Sequence, residues 1–367
     1  DTYIETRPLV CRSQGMNTPQ PRIAVLILGY NHRAFLEDVL RSAVAQSYAP
    51  YEVRYIDNAS SDGSWQWVRE HFPNIRTERN EQNLGYAGGY GKALQEVFRE
   101  GFDAAVLLNP DVVVESDWLL ELQRTAFSDP RIAFVQPKVL LWQKKPRRFF
   151  NSSGNRIHFL GFGFCGGYLD EDIPGLASDT EVTYPSGSSL FIKREVYAAL
   201  SGLDERYFAY LEDQDLAWQA RLQGYKHMLS TRSVLWHKYD FAKKSIGNHF
   251  KYYLLERNRL FFITKFYSGR TLGLLFPAFV LMEIGGLGNA FLKGCLLAKL
   301  RSYRDFVKEL PSMLRSRKAI QRSRKVSDRE LFRFLSPTID FAEIDSIPLR
   351  IANVIFKAYY LLIRKWI

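Results

Sequence analysis

Ile23-Ala24-Val25-Leu26-Ile27-Leu28 is an unbroken apolar run, closed by Pro21 in front and Gly29 behind. So short a run with no polar alternation suits a strand buried on both faces, as in a parallel sheet covered by helices. Working outward, Leu36, Val39, Leu40, Ala43 and Val44 recur at helical spacing. A second strand is expected at 53–56 and a second helix near 64–71. Gly85-Tyr86-Ala87-Gly88-Gly89 reads as a glycine-rich turn leading into a helix from about Lys92 to Arg99, and 104–108 as a strand ending at Asn109-Pro110-Asp111. The alternation predicts an α/β fold with a mostly parallel, Rossmann-like central sheet flanked by helices. Ligands of such sheets bind beyond the C-terminal ends of the strands. Asp57 and Asp111 stand at two of those ends.

The pattern loosens over 131–184, which is rich in glycine and aromatic residues, and tightens again over 186–237. After about His249 the chain becomes apolar and basic by turns. The expected organisation is an N-terminal extension (1–21), a catalytic domain (22–250) and a C-terminal helical region (251–367). The 367 residues carry a net charge of +11, so anionic partners are expected. Cys11, Cys165 and Cys295 are far apart and odd in number. They show no disulfide or zinc spacing, which fits a reducing compartment. Asp1 to Pro21 is polar and has no apolar segment of the signal-peptide kind.

Five segments carry candidate chemistry. Asp57-Asn58-Ala59-Ser60-Ser61-Asp62-Gly63-Ser64 offers acid, amide and hydroxyl groups in a strand-to-helix loop, suited to a base and a ribose or, more simply, to capping a helix through Ser61 or Asp62. Asn83-Leu84-Gly85-Tyr86-Ala87-Gly88-Gly89 has neither the spacing of a dinucleotide fingerprint nor a P-loop lysine; its glycines would let backbone approach a ligand, or merely turn the chain. Asp111 can hold Mg²⁺ or Mn²⁺ against a diphosphate, and Asn-Pro-Asp is also an ordinary turn. Glu212, Asp213 and Asp215 lie beside Tyr207, Phe208 and Tyr210. Acids so placed need a cationic partner or a task such as general base catalysis, although a helix's first turn also favours acids. His237 follows an apolar strand, a place for a metal ligand or a satisfied core histidine.

In this order the segments resemble the inverting family-2 glycosyltransferases of GT-A fold, closest to the rhamnosyltransferase-like branch that builds cell-surface glycans. The likeness runs from about Arg22 to Phe266. It rests on Tyr30-Asn31, the 57–64 and 83–89 segments, Asn109-Pro110-Asp111 in place of the family's Asp-x-Asp, Gly187-Ser188-Ser189, Gly202-Leu203-Asp204-Glu205, Glu212-Asp213-Gln214-Asp215, Arg221, Gly224-Tyr225 and His237. It implies a donor site formed by Tyr30, Asn31, Asp57, Asn58, Asn83, Gly85, Gly88, Asn109, Asp111 and Glu212. It further implies Asp111 and His237 as ligands of Mg²⁺ or Mn²⁺, and Asp213 as the base. The donor would be a dTDP- or UDP-sugar, rhamnose among the candidates, and the acceptor a glycan or lipid-linked hydroxyl. Two departures stand out. Asn109 replaces the first acid of the metal motif, leaving one anionic ligand fewer, and Gly91 stands where relatives commonly carry asparagine.

Three rival readings are weaker. A hydride-transfer enzyme would need the glycine fingerprint. A nucleic-acid binder would account for the charge, but the basic residues concentrate among apolar stretches of the C-terminal third, which suits anionic lipid better. A non-catalytic sugar-nucleotide scaffold would not need both Asp111 and Asp213. The C-terminal third is therefore expected to attach peripherally to the cytoplasmic face of the membrane. Glu283 interrupts the apolar segment 271–292, and a polybasic stretch runs from Lys299 to Lys325. Packing on the catalytic domain, or pairing of two copies, is the alternative use of these helices.

Overall fold

The computed structural model describes residues 20–173, 178–239 and 249–367; the N-terminal extension, with Cys11, lies almost wholly outside them. Strands β1 (Ile23–Gly29), β2 (Tyr51–Asp57), β3 (Arg76–Arg79) and β4 (Ala104–Leu108) form one parallel block in the order β3-β2-β1-β4. Between them run α1 (Arg33–Val44), α2 (Ser64–His71) and α3 (Gly85–Arg99). The apolar run of β1 splits by period two. Ile23, Val25 and Ile27 pack against Leu36, Val39 and Leu40 on one face of the sheet, while Ala24, Leu26 and Leu28 pack against Tyr90 and Leu94 on the other.

Beyond β4 the sheet is mixed rather than parallel. After β5 (Val112–Val114) and α4 (Trp118–Phe127) come β6 (Ile132–Leu141), β7 (Phe150–Ser152), β8 (Asn155–His158), β9 (Gly163–Cys165) and β10 (Thr180–Val182). They are followed by β11 (Ser189–Lys193), α5 (Arg194–Ala198), α6 (Glu212–Leu222) and β12 (Lys226–His237). β11 runs antiparallel to both β4 and β6, β12 runs parallel to β6, and β5, β7 and β10 add antiparallel edges. The antiparallel pairing of β11 with β4 brings residues 188–189 beside 108–109, at the C-terminal end of β4.

The glycine-rich segment also differs from expectation: Gly85 to Gly89 form the first turns of α3, not a turn before it. The glycines are there for approach. A Cβ on Gly89 would meet Leu28 of β1 at 2.7 Å. One on Gly85, whose φ is +68°, would meet the Phe208 carbonyl oxygen at 2.3 Å.

The C-terminal region contains α7 (His249–Phe266), α8 (Gly269–Leu292), α9 (Leu296–Ser323), α10 (Asp328–Phe332) and α11 (Ile347–Ile363). It shares the core of the sheet domain: Phe262, Phe266, Phe332, Phe356 and Tyr360 belong to the same buried cluster as Leu26, Trp218 and Ile192. A short strand, β13 (Leu335–Ser336), pairs with β8.

Candidate active site

The C-terminal ends of β1, β2 and β4 converge on one loop layer. Asp57 is wholly buried at the end of β2 and anchored from three sides: Tyr55 donates to Oδ1 (3.3 Å), the Ser60 backbone N–H donates to Oδ2 (3.1 Å), and Arg79 lies 3.2 Å from Oδ2. The two β-to-α loops are laced together. Ser60 Oγ accepts from the Asn31 N–H (3.0 Å), and Asn31 Oδ1 accepts from the Ser61 N–H (2.8 Å). Asn31 takes a positive φ of 56°, a conformation asparagine tolerates, and this leaves the Tyr30 ring 44% exposed beside the loop.

Asn58 is used entirely within the protein. Its amide donates to Asn83 Oδ1 (2.9 Å) and the Gly85 carbonyl (3.1 Å), and its oxygen accepts from Asn80 (3.0 Å) and the Leu84 N–H (3.1 Å). Asn58 and Asn83 thus fix the start of α3 against the end of β2. The helix-cap reading of the 57–64 loop holds in part: Asp62 Oδ1 accepts from the Ser64 N–H (3.1 Å), while Gly63 occupies the cap position.

On the opposite side of the loop layer, the Asn109 N–H donates to the Ser188 carbonyl (3.0 Å), and the neighbouring Gly187 N–H donates to Asp213 Oδ2 (2.9 Å). Tyr86, from the first turn of α3, donates its hydroxyl to the Gly187 carbonyl (2.7 Å). A single short segment therefore links the end of β4, the first turn of α3 and the first turn of α6. Asp213 Oδ1 accepts a second backbone bond, from Gln214 (2.7 Å). Burial outweighs these two bonds and pushes the Asp213 carboxyl up to about 6. Its neighbour Glu212 is raised well above the carboxylate range by burial and by the Asp213 charge. The third acid of the cluster has a different occupation: Asp215 is paired with the buried Lys265 at 2.5 Å, and Lys265 also reaches Asp204 at 2.9 Å.

The loop that delivers Asp213 is strained. Phe208, Tyr210 and Leu211 have φ of 63°, 69° and 64°, and none is glycine. It is held from α7. The amide of the fully buried Asn258 donates to the carbonyls of Tyr207 (3.0 Å), Ala209 (2.9 Å) and Tyr210 (2.7 Å), and Arg257 donates to those of Arg206 and Tyr207.

The buried pair Asp111 and His237 lies across from β5, whose Val112 is paired with His237 in the sheet. His237 Nε2 is 3.3 Å from Asp111 Oδ1 and makes no hydrogen bond there, while Nδ1 meets Asn151 Oδ1 at 2.9 Å. With Nδ1 turned to Asn151, Nε2 is the ring nitrogen that faces the carboxylate, and the pair offers one nitrogen and one oxygen donor. That arrangement fits a cation between them. Among the described residues no group of three or more His, Cys, Asp or Glu side chains assembles into a metal site. The remaining ligands of such an ion would have to be amide, diphosphate or water oxygens. Cys165 is not an alternative nucleophile, since burial and then the nearby Asp213 push its thiol up to about 12.

No sequence pattern marks Asn151, Arg257 or Asn258, and Tyr86 stands in the 83–89 segment without a role of its own. Residues 24–197 match the model described as glycosyl transferase family 2. The N-acetylglucosaminyl-diphospho-decaprenol L-rhamnosyltransferase of Mycobacterium tuberculosis (strain CDC 1551 / Oshkosh) is 25% identical over 250 residues, 62% of this chain and 80% of the relative. Rhamnosyltransferase WbbL of Escherichia coli (strain K12) is 24% identical over 216 residues, 55% of this chain and 78% of the relative. Among solved structures, that of GalNAc-T7 with UDP, GalNAc and Mn²⁺ superposes with a TM-score of 0.56 at 13% identity, covering 69% of this chain and 49% of the other. It shares the fold.

Proposed function

We propose, from the premise that this chain is a family-2 glycosyltransferase, that it transfers a sugar from a nucleotide diphosphate donor to a hydroxyl of a lipid-linked or glycan acceptor, with inversion at the anomeric carbon. The observation that carries the reading is Asp213. It is a carboxylate in the first turn of α6, delivered by a strained loop, oriented by two backbone N–H groups and raised to about 6 by burial, so it is ionised at neutral pH and still basic enough to accept a proton. We assign residues 22–250 to the catalytic domain and 251–367 to a membrane-associating region.

In this mechanism the Asp57 loop and Tyr30 hold the nucleoside, with Asn31, Asn58 and Asn83 fixing the loops that present it. Gly85 lets the Phe208 carbonyl approach the start of α3, and Gly88 lies against Leu84, so the two glycines serve to fix this helix start beside the donor loops. The acceptor oxygen attacks the anomeric carbon from the face opposite the diphosphate. As that C–O bond forms, its proton passes to Asp213 and the bond to the diphosphate breaks. One displacement inverts the centre, and no covalent enzyme intermediate is needed. Burial and the Asp213 charge both push Glu212 toward its protonated form, which lessens the repulsion between the two acids at the base position. Asp111 and His237, with Asn109 nearby, would hold Mg²⁺ or Mn²⁺, which supplies charge neutralisation of the leaving diphosphate when bound. The relatives' names point to a rhamnosyl donor and to a polyprenyl-diphosphate acceptor, and we extend both to this chain as the first substrates to try. An acceptor of that kind requires work at a membrane surface.

The test is a release assay for nucleoside diphosphate over a panel of dTDP-, UDP- and GDP-sugars, with Mn²⁺ and with EDTA. One donor turning over in a metal-dependent manner supports the proposal. Binding of a donor without release, under every acceptor and metal condition, would support the scaffold reading instead.

A further inference from the structure

The polybasic stretch of α9 is the obvious membrane anchor by sequence, but three of its cations are used internally and Arg301, Arg304 and Lys308 gather around Asp305. Lys299 is buried against Glu256 and Glu283, Arg317 donates to the carbonyls of Thr264 and Tyr267, and Arg324 pairs with Asp328. The helix before it is different. Glu283, which interrupts the apolar run of α8, is turned inward, paired with Arg259 and Lys299 and accepting from Tyr303. Every exposed position of α8 from Gly273 to Leu292 is therefore apolar, glycine or proline, with Asn289 the one polar exception. Phe276 is 62% exposed, Ile284 64% and Leu292 83%. The spacing of 273, 276, 277, 280, 281, 284, 285 and 288 makes this a single stripe, along a helix about 36 Å long at 1.5 Å per residue.

Helix α11 lies alongside, with Tyr359 donating to the Leu274 carbonyl at 2.7 Å. It presents a second stripe through Ile347, Ile351, Val354 and Leu362, ending in Trp366. Among the described residues, the unpaired charges on the two helices and at their ends are of one sign, Arg270, Lys293, Lys357, Arg364 and Lys365, while Arg350 is paired with Asp345 just ahead of α11. No acid other than the inward-turned Glu283 occurs in 269–293 or 347–367.

We propose that the joint face of α8 and α11 is the surface by which this protein lies on an anionic lipid bilayer, parallel to it and without crossing it. A second copy of the chain fits less well, because a two-fold contact through this face would set basic rim against basic rim, whereas acidic head groups neutralise it. Crossing would expose to lipid the buried ion pairs by which Glu283 fastens α8 to α7 and α9. The end of the stripe has a further use. Ala298, just beyond the α8–α9 corner, is buried with Tyr253 and Leu254 in a cluster that touches Phe208 and Tyr210. The helix that follows the lipid-facing corner thus packs, through Ala298, in the cluster that touches the loop presenting Asp213, and on this reading a membrane-borne acceptor arrives from that side. This consequence rests on the proposed function; the docking face does not.

The test is co-sedimentation of the full chain with vesicles of phosphatidylglycerol and phosphatidylcholine, and with phosphatidylcholine alone. Ile284→Glu and Val354→Glu, both at exposed positions, are expected to weaken binding to the mixed vesicles at least about 10-fold, while Lys318→Glu with Arg322→Glu on α9 weakens it less than about 3-fold. Circular dichroism checks that the variants fold, and donor turnover in detergent, where no bilayer is present, reports separately on the catalytic reading. Three results overturn the proposal: the α9 variant loses binding while the two stripe variants keep it; wild type binds the two vesicle types equally; or wild type is a dimer that Ile284→Glu dissolves and that ignores vesicles.

Discussion

Replacing Asn258 by alanine tests whether the catalytic loop is held in place from outside the sheet domain. Asn258 is completely buried and directs one amide at three carbonyls, those of Tyr207, Ala209 and Tyr210. Arg257 still donates to the Tyr207 carbonyl, so the substitution strips those of Ala209 and Tyr210, at about 1–3 kcal/mol each, for a local loss of about 2–6 kcal/mol. The loop stores strain of comparable size, since three non-glycine residues at positive φ carry about 1–3 kcal/mol each. Without the clamp, relaxation of residues 208–211 becomes favourable, and Asp213, two residues beyond, moves with them. A displacement near 1 Å at a reacting group costs about 100-fold in rate. Asn258→Ala should therefore lower kcat about 100-fold and leave donor affinity within about 3-fold, because the donor loops hang from β1, β2 and β4. Steady-state kinetics, direct donor titration and hydrogen exchange over 207–212 separate the effects. A variant with unchanged kcat, or one that loses donor affinity and kcat in equal measure, would refute the reasoning.

Other outcomes follow from the same geometry. Asp111→Ala should weaken nucleoside diphosphate binding about 10-fold or more with Mn²⁺ present and little in EDTA, read by calorimetry, with His237→Ala milder; equal losses in both conditions would remove the ion from the argument. Turnover should fall as pH drops through about 6, since protonation of Asp213 removes the base; a profile flat between pH 5 and 8 would contradict the assignment. The same raised pKa makes ionised Asp213 a burden on the fold. It is absent below the unfolded value near 3.8 and complete above about 6, so chemical denaturation should find the stability of wild type relative to Asp213→Asn falling by about 3 kcal/mol between pH 4 and pH 8.

The sequence was legible where a local pattern determines structure. The split of β1 between two cores follows from period two, and Asp57 and Asp111 lie at the strand ends where the alternation put them. It was illegible where partners are distant. The glycines at 85–89 looked like a turn because their purpose, contact with Leu28 and with the Phe208 carbonyl, is tertiary. Asp213 and Asp215 are two residues apart in one motif, yet one meets backbone N–H groups in the cleft and the other a lysine 50 residues away. Asn258 and Asn151 carry no pattern of their own, and their roles come from carbonyls and an imidazole supplied by other elements. Glu283 interrupts an apolar helix in sequence, and only the packing of Arg259 and Lys299 shows that it does not interrupt the apolar face.

The central claim is that Asp213 is the base of a sugar transfer, and the most direct measurement is turnover of Asp213→Asn beside its donor affinity, with the best donor from the panel. The amide keeps the shape and the oxygen that accepts from a backbone N–H, but it cannot take a proton from the acceptor. The account predicts turnover reduced by about 100-fold or more, the loss expected on removing a general base, with donor affinity within about 2-fold of wild type. Turnover within about 10-fold of wild type, with donor still bound, would contradict it.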